Sequence, residues 1–254
     1  MQIPKSVLVM FVALVPLTAE DNLKYGRPAC PGPVLDKTYF VVCYDSERKL
    51  PTWVGYALTK EDADASVADR NKGNYQFHAD ASLEAGKRAE NADYARSGYD
   101  KGHMAPAADF KRSVEAMKST FILSNAVPQK HGVNAGQWGR LEAAARLLAQ
   151  NRGAMWVFSG PLFVGGKPVK TIGRDHVAVP THTYKVILCV HANGEKEMFA
   201  FVLPNIDKPS GQIGAYTYSV DHVEKLTGLD FFAALPAEEQ SRLERVAANL
   251  PPAT

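Results

Sequence analysis

The segments Thr38-Tyr-Phe-Val-Val-Cys-Tyr-Asp45 and Thr52-Trp-Val-Gly-Tyr-Ala-Leu-Thr59 decide the fold class of this chain. Both are rich in β-branched and aromatic residues, which pack well on a pleated surface. The polar residues 46–50 between them are typical of a turn. We therefore predict a β-hairpin that opens an antiparallel sheet.

Outward from this hairpin, the chain mixes strands and helices without regular alternation. The spacing of apolar and turn residues predicts strands at 121–124, 154–159, 176–190 and 197–203, and helices at 134–152, 219–227 and 236–248. Residues 60–97 have little apolar periodicity and are predicted to form a long surface segment. Because there is no internal repeat and no Gly/Ser-rich linker, we predict one α+β domain over residues 20–254. Its core spans about residues 38–230 and is an antiparallel central sheet flanked by helices.

The amino-terminal residues have the pattern of a targeting segment. Lys5 precedes an apolar run from Val7 to Val15, which is too short to span a bilayer but suits the core of a signal peptide. Ala19 offers a small residue for cleavage, so residues 1–19 are predicted to be a signal peptide. The protein is accordingly expected to be exported, to a periplasm or outside the cell, without stable membrane association after processing. The alternative is that residues 6–17 form a buried strand or a membrane anchor.

The bulk composition is that of a globular protein. Hydrophobic residues make up 46% and charged residues 22%, which excludes disordered and fibrous classes. Removal of residues 1–19 would leave 28 basic residues against 27 acidic ones. This balance by itself predicts no polyanionic partner, so a nucleic-acid enzyme of this composition must concentrate its cations locally.

The three cysteines are Cys30, Cys43 and Cys189. No CxxC pair or Cys/His spacing suggests a zinc site, so a structural disulfide is favoured over a cysteine-bound metal. The sequence leaves open which two of the three would pair.

The stretch Tyr99-Asp100-Lys101-Gly102-His103-Met104 carries candidate chemistry. Hydrolysis of a phosphodiester needs a base for the attacking water, a cation for the charge on phosphate, and stabilisation of the leaving oxygen. His103 is a candidate base because imidazole titrates near neutral pH. Asp100 is close enough to orient the imidazole if the segment turns, Lys101 adds positive charge, and Gly102 would let phosphate approach the backbone.

Two residues on the following helix are candidates for a metal site. Asn134 offers a hard oxygen ligand for a divalent ion at the start of the helix, although alone it would be a helix cap. Glu142 lies eight residues on, about 12 Å along a straight helix and roughly 80° around it, so both are not expected to touch one ion directly. Either Glu142 holds a metal-bound water or a cationic side chain, or the helix begins later and the backbone bends.

Three motifs occur in order along the chain: Asp100-Lys-Gly-His103-Met-Ala-Pro106, Phe121-Ile-Leu-Ser-Asn125-x-x-Pro128-Gln129, and Asn134-x-x-x-Trp138-x-x-x-Glu142. Together they resemble the signature of the DNA/RNA non-specific endonucleases of the ββα-metal, or His-Me finger, type, a family with mitochondrial and secreted bacterial members. The similarity extends over about residues 39–205.

The resemblance implies specific roles. His103 would be the general base, Asn134 the single direct protein ligand of Mg²⁺ or Mn²⁺, Glu142 an outer residue acting through water, and Asn125 a support of the site. It also implies a ββα finger carrying the site, DNA and RNA as substrates, and products with 5′-phosphates. A homodimer is common among relatives.

The chain departs from the family pattern at Lys101, where arginine is usual. Arginine can hold phosphate oxygens at two points, whereas lysine offers a point charge. An upstream arginine of the family has two candidate matches, Arg70 and Arg88, and Arg88 is preferred because it is nearer the motif.

The sequence is compatible with three functions. The first is a metal-dependent endonuclease acting on both DNA and RNA. The second is a nucleic-acid-binding protein of the same fold, catalytically weakened by Lys101. The third is a metal phosphoesterase for a small substrate, against which the scattered Lys and Arg of residues 60–97 argue mildly.

Overall fold

The computed structural model describes residues 19–165 and 170–250. Within them, eleven strands form: β1 Val34–Asp36, β2 Val41–Asp45, β3 Leu50–Leu58, β4 Asp100–His103, β5 Ala126–Gln129, β6 Gly153–Leu162, β7 Thr171–Ile172, β8 Val177–Ala178, β9 His182–His191, β10 Lys196–Pro204 and β11 Thr217–Tyr218. Seven of them make the central sheet, in the order β1-β2-β3-β6-β9-β10-β11, and each neighbouring pair is antiparallel. The predicted α+β class with an antiparallel sheet is confirmed.

The helices of the described residues are mostly short. They are α1 Ala19–Asn22, α2 Lys60–Asp64, α3 Asn91–Tyr94, α4 Val114–Ser119, α5 Gly139–Arg152, α6 Val220–Thr227 and α7 Ala237–Glu244. Three short 3₁₀ turns occupy Ala107–Asp109, Leu123–Asn125 and Ile213–Tyr216, and a π-helical turn covers Val133–Trp138. None of the helices in this part of the chain is long and apolar enough to cross a membrane. The predicted signal peptide lies outside the described residues except for Ala19.

Both faces of the central sheet are covered, which explains why its strands read as nearly continuous apolar runs. Successive side chains of a strand point to opposite faces. On β2, Val42 and Tyr44 therefore join the core beneath α5, whereas Val41 and Cys43 join the core beneath α6 and α7. The sheet thus separates two helical layers.

A smaller two-stranded sheet stands beside the first layer. β4 pairs antiparallel with β5, with His103 opposite Ala126 and Asp100 opposite Gln129. The π-helical turn and α5 follow β5 directly, so that two strands and a helix form the predicted ββα finger. The indole Nε1 of Trp138 donates to the carbonyl oxygen of His103 at 3.1 Å and ties the helix to the strand.

Most predicted elements form where expected, with two exceptions. The hairpin, the strands near 154–159 and 197–203 and the helices near 134–152, 219–227 and 236–248 are present with slightly different ends. The predicted strand at 176–190 is divided: β8 pairs with β7 in a small separate sheet, and β9 of the central sheet begins only at His182. The predicted strand at 121–124 is wrong: Leu123–Asn125 is a 3₁₀ turn, and Ile122 only bridges His78. The apolar side chains here are buried beneath the finger, and burial alone does not distinguish a strand from a turn.

Cys30 and Cys43 form a disulfide, and Cys189 is a buried free thiol. The bond joins the segment before β1 to the middle of β2. Trp53 of β3 reinforces this attachment by donating from Nε1 to the carbonyl oxygen of Ala29 at 3.0 Å. The amino-terminal segment is therefore fixed to the sheet on the side of α6 and α7.

Reduction of this disulfide should lower the free energy of unfolding by roughly 2–4 kcal/mol, because a closed loop of this length restricts the unfolded chain. The two cysteines are 13 residues apart. We expect dithiothreitol to shift the urea midpoint of the wild-type protein but not that of Cys30→Ser, which should already unfold at the lower midpoint. An unchanged wild-type midpoint after verified reduction would contradict this expectation.

Asn125 fastens the long loop between β4 and β5. Its side chain is fully buried; Oδ1 accepts from the backbone N–H of Ala105 at 2.8 Å, and Nδ2 donates to the carbonyl oxygens of Ala105 and Thr120, both at 2.9 Å. One amide therefore satisfies three buried backbone groups, two of them on Ala105, two residues after His103.

Asn125→Ala should lower the free energy of unfolding by about 3 kcal/mol or more, because each buried group left without a partner costs about 1–3 kcal/mol. Asn193 is a matched control, since its amide also makes two hydrogen bonds but at an exposed turn. Asn193→Ala should lose less than about 1 kcal/mol in the same urea titration. Equal losses for the two variants would mean that the buried amide has no special role.

Candidate active site

An open cleft of about 1080 Å³ lies along the finger. The predicted site residues Asp100, Lys101, His103, Asn134 and Glu142 all line it. The first three lie on β4. The other two lie in the π-helical turn and in α5, which follow the partner strand β5. The ββα arrangement thus brings together residues that are separated by up to 42 positions in the sequence.

His103 ends β4 and is held among aromatic rings. Its imidazole centroid lies 4.6 Å from the ring of Phe77 and 4.9 Å from that of Phe121, and the residue is only 7% exposed. Nε2 is buried without a hydrogen-bond partner among the described residues. Burial, and second the positive charge of Arg70, lower the pKa of His103 to about 3. The imidazole is therefore neutral at physiological pH.

Asp100 does not orient His103, contrary to the prediction. The segment is a strand instead of a turn, and residues three apart on a strand point to opposite faces. The Oδ2 atom of Asp100 accepts from Nδ2 of Asn134 at 2.9 Å and lies 2.8 Å from Nδ1 of His131. Asp100 therefore fixes the side chain of Asn134.

Asn134 lies in the π-helical turn, and this resolves the geometric difficulty raised by a straight helix. The backbone at Gly136 leaves helical geometry, with φ −97° and ψ −108°, and the N–H of Gly139 donates back to the carbonyl oxygen of Asn134. The wider turn and the break rotate Asn134 relative to Glu142, so that both line the cleft. The predicted alternative, in which the backbone bends, is the one that occurs. Such π-helical turns are frequent at functional sites.

Lys101 reaches into the cleft from β4. Its Nζ donates to Oδ1 of Asn91 at 2.6 Å and lies 5.7 Å and 5.8 Å from the ring centroids of Phe77 and Tyr94. Partial burial lowers the pKa of Lys101. The ammonium group is thus held in one position at the edge of the cleft.

The structure reverses the preference between the two upstream arginines. Arg88 does not line the cleft: its guanidinium pairs with Glu90 at 2.8 Å and donates to the carbonyl oxygens of Asp80 and Leu83. Arg70 does line it, with its guanidinium 5.5 Å from the ring of Phe121. Nearness in sequence was a poor guide because the intervening loop folds back across the finger.

Glu142 borders a buried cluster of charged side chains. Burial raises the pKa of Glu142 to about 7, opposed by the positive charge of Lys185 and reinforced by Asp109. Asp109 pairs with Arg146 at 2.6 Å and accepts from the hydroxyl of Tyr56 at 2.8 Å. The acidity of Glu142 is therefore set first by its burial and then by charged neighbours outside the motif.

Lys185 is the most unusual member of this cluster. It is fully buried in the middle of β9, where its Nζ donates to Oγ of Ser159 at 2.7 Å and lies 4.9 Å from the indole of Trp138. Burial lowers its pKa. The ammonium group of Lys185 lies behind the finger helix. Its positive charge counteracts the rise in the pKa of Glu142 that burial causes.

Sequence reasoning missed Asp109, Arg146 and Lys185. Asp109 precedes Lys111 and Arg112, a pattern that is typical of a surface charge run, yet it is 3% exposed. Two signals could have found the cluster: Arg146 lies four residues after Glu142, on the same helical face, and Lys185 interrupts an apolar strand. Glycine at position 102 was predicted to let phosphate approach the backbone. The structure gives a different reason for it, since a side chain there would collide with that of Gln129.

Two curated proteins illustrate what this chain is similar to. The mitochondrial nuclease EXOG of Danio rerio is 39% identical over 233 residues, which cover 87% of this chain and 66% of that protein. Mitochondrial endonuclease G of Bos taurus is 36% identical over 217 residues, covering 82% of this chain and 71% of the relative. The chain thus spans about two thirds of the length of these relatives.

The relatives correct the expected localisation. Both relatives are named as mitochondrial proteins, which points to mitochondria instead of a periplasm or the outside of the cell. The prediction of export is wrong. An apolar run after a basic residue shows that a segment can move from water into an apolar environment. It does not specify which targeting machinery recognises the segment.

A solved structure agrees with the sequence relatives. The nuclease chain of a crystal structure of an EndoG/EndoGI complex superposes with a TM-score of 0.79 at 34% identity, covering 85% of this chain and 92% of that one. The family model described as DNA/RNA non-specific endonuclease matches residues 18–238. Since that match covers most of the sequence and the finger is present with its histidine and asparagine, this chain belongs to the DNA/RNA non-specific endonuclease family.

Proposed function

We propose that this chain is a metal-dependent endonuclease that hydrolyses phosphodiester bonds in DNA and RNA to products with 5′-phosphates. The observation that carries the proposal is the single cleft lined by His103, Asn134 and Glu142, with Lys101 and Arg70 at the same surface. Its open form suits a polymer better than a small ester. Because the finger and both helical layers pack on one sheet, residues 20–254 are proposed to act as one nuclease domain.

The donors in the cleft fit a hard divalent cation. Nδ2 of Asn134 donates a hydrogen bond to Asp100. Among the described residues no donor reaches Oδ1 of Asn134, so this carbonyl oxygen can bind a metal. Glu142 adds a carboxyl group in the same cleft. Oxygen ligands of this kind, few in number, suit Mg²⁺ or Mn²⁺, which keep several waters. When bound, such an ion stabilises negative charge on the phosphate and on the leaving 3′-oxygen.

His103 is proposed to remove a proton from the attacking water. The neutral imidazole can accept a proton as soon as substrate arrives, because its pKa is about 3. A phosphate anion beside the ring favours the imidazolium form and raises this pKa towards the working pH. The aromatic rings of Phe77 and Phe121 limit the rotation of the imidazole.

Lys101 and Arg70 are proposed to bind phosphate oxygens. Arg70 is exposed and free to follow a polyanion, whereas Lys101 is positioned by Asn91. Each of the two cations lies over an aromatic ring beside His103: Lys101 over Phe77 and Arg70 over Phe121. Arg70 thus adds a second cation to the single point charge of Lys101, whereas one arginine at position 101 would itself offer two parallel donors.

A catalytically weakened nucleic-acid-binding protein is the second candidate, and the lysine at position 101 is the observation that favours it. Incubation of plasmid DNA and of RNA with Mg²⁺ or Mn²⁺, with and without chelator, separates the two functions. Steady, chelator-sensitive loss of both polymers supports the endonuclease, whereas retention of intact polymer in a complex supports the binding protein.

In this assay His103→Ala should reduce the rate of cleavage by at least 10²- to 10⁴-fold, the usual contribution of a general base, without loss of nucleic-acid binding. His222→Ala is a matched control, because that imidazole is exposed, stacks on Tyr218 and lies outside the cleft. The control should digest both substrates at the wild-type rate. Near-wild-type digestion by His103→Ala would refute its assignment as the base.

Lys101→Met should lower kcat about 10-fold or more, because a charge-assisted hydrogen bond to phosphate contributes about 1.5–3 kcal/mol. Lys101→Arg should raise kcat above wild type, since the guanidinium offers two parallel donors. Lys72→Met, which alters an exposed lysine outside the cleft, should leave kcat unchanged. If Lys101→Arg is no faster than wild type, the cleft is built around lysine, with Arg70 completing the grip.

A further inference from the structure

Three carboxyl groups meet between α6 and α7, on the face of the sheet opposite the cleft. Asp221 and Glu224 are three residues apart and therefore share one face of α6. Glu244 is the last residue of α7. One oxygen atom from each of the three lies within 4.8 Å of the others.

The positive charge that usually accompanies such a group is missing. Among the ion pairs of the described residues, none involves Asp221, Glu224 or Glu244. Burial raises the pKa values of both Glu224 and Glu244 to about 7. Hydrogen bonds from the backbone of Phe231 to Glu224 and from the side chain of Gln240 to Glu244 oppose this rise, and the charges of neighbouring carboxylates reinforce it. The nearby Asp230 adds to the negative potential at both glutamates.

Glu244 gives an independent indication of a ligand. The residue is only 5% exposed, and its Oε1 is buried without a hydrogen-bond partner among the described residues. Glu224, in contrast, already accepts the backbone N–H of Phe231 at 2.8 Å through Oε1. A buried carboxylate oxygen without a donor is costly unless a cation or a proton satisfies it.

We propose that Asp221, Glu224 and Glu244 form a binding site for a Ca²⁺ ion. Calcium binds oxygen ligands at about 2.3–2.6 Å, so two ligands of one ion can be up to roughly 5 Å apart. The observed spacing meets this limit without rearrangement. Mg²⁺ is usually bound through one or two carboxylates and keeps several waters, so a set of three carboxylates favours Ca²⁺. Asp221 and Glu224 are half-buried, which leaves room for water to complete the coordination shell.

Occupancy would join the carboxyl-terminal helix to its neighbour. Leu243 packs in the core beneath α6 and α7, next to the proposed ligand Glu244. An ion shared by both helices would replace mutual repulsion of three carboxylates by attraction to one charge. The site is separate from the cleft, so it would act on the stability of this layer.

Thermal unfolding of the full chain with Ca²⁺ alone tests the site. At 10 mM Ca²⁺ the midpoint should rise by about 3 °C or more, as expected for an ion that binds the folded state in the millimolar range or tighter. The rise should persist in Asn134→Ala, which removes the proposed ligand in the cleft. It should be lost in Glu244→Gln and kept in Glu238→Gln, an exposed acid on the same helix.

Calorimetric titration of Ca²⁺ provides a second measurement if Glu244→Gln fails to fold. The double variant Asn134→Ala/Glu224→Gln should then bind one Ca²⁺ ion fewer per chain than Asn134→Ala alone. A wild-type midpoint that does not respond to Ca²⁺, or an equal rise in Glu244→Gln, would overturn the proposal. A rise with 10 mM Mg²⁺ as large as that with Ca²⁺ would overturn the assignment to calcium. These outcomes are independent of nucleic-acid cleavage.

Discussion

One hydrogen bond, from the indole of Trp138 to the carbonyl oxygen of His103, connects the two halves of the finger. It joins the first turn of the helix to the end of the strand, where a buried carbonyl would otherwise lack a partner. On one side of this bond lies the imidazole, and on the other side the indole rests against the ammonium of Lys185. This contact therefore links the positions of the histidine, the helix and the charge behind it.

The rest of the site is held in place by supporting contacts. Asp100 fixes Asn134, Asn125 fastens the loop that follows His103, and Asn91 positions Lys101. In each case an amide or carboxylate makes a short contact with a residue that would otherwise be mobile. Such supporting contacts set the geometry within which a base and a metal ligand can act together.

Sequence reasoning recovered the fold and the members of the cleft well, and the supporting contacts poorly. The hairpin, the later strands and the finger follow from patterns that are local in sequence. Contacts such as Asp109 with Arg146, or Arg88 with Glu90, depend on how distant segments pack, and charge composition does not reveal them. The reversal between Arg88 and Arg70 and the role of Asp100 have the same origin: sequence distance and residue type were known, but side-chain direction was not.

The π-helical turn gives the finger an unequal tolerance to changes in length. Loops elsewhere on the surface can gain or lose residues with little effect on the core. In the turn at Val133–Trp138, removal of one residue would leave Asn134 and Glu142 seven residues apart, about 20° from each other on a regular helix. Insertion of one residue would instead rotate Asn134 by about 100° relative to everything that follows, and its side chain would leave the cleft although no residue of the motif had been substituted. The number of residues between Asn134 and Glu142 is therefore as much a part of the site as their identities.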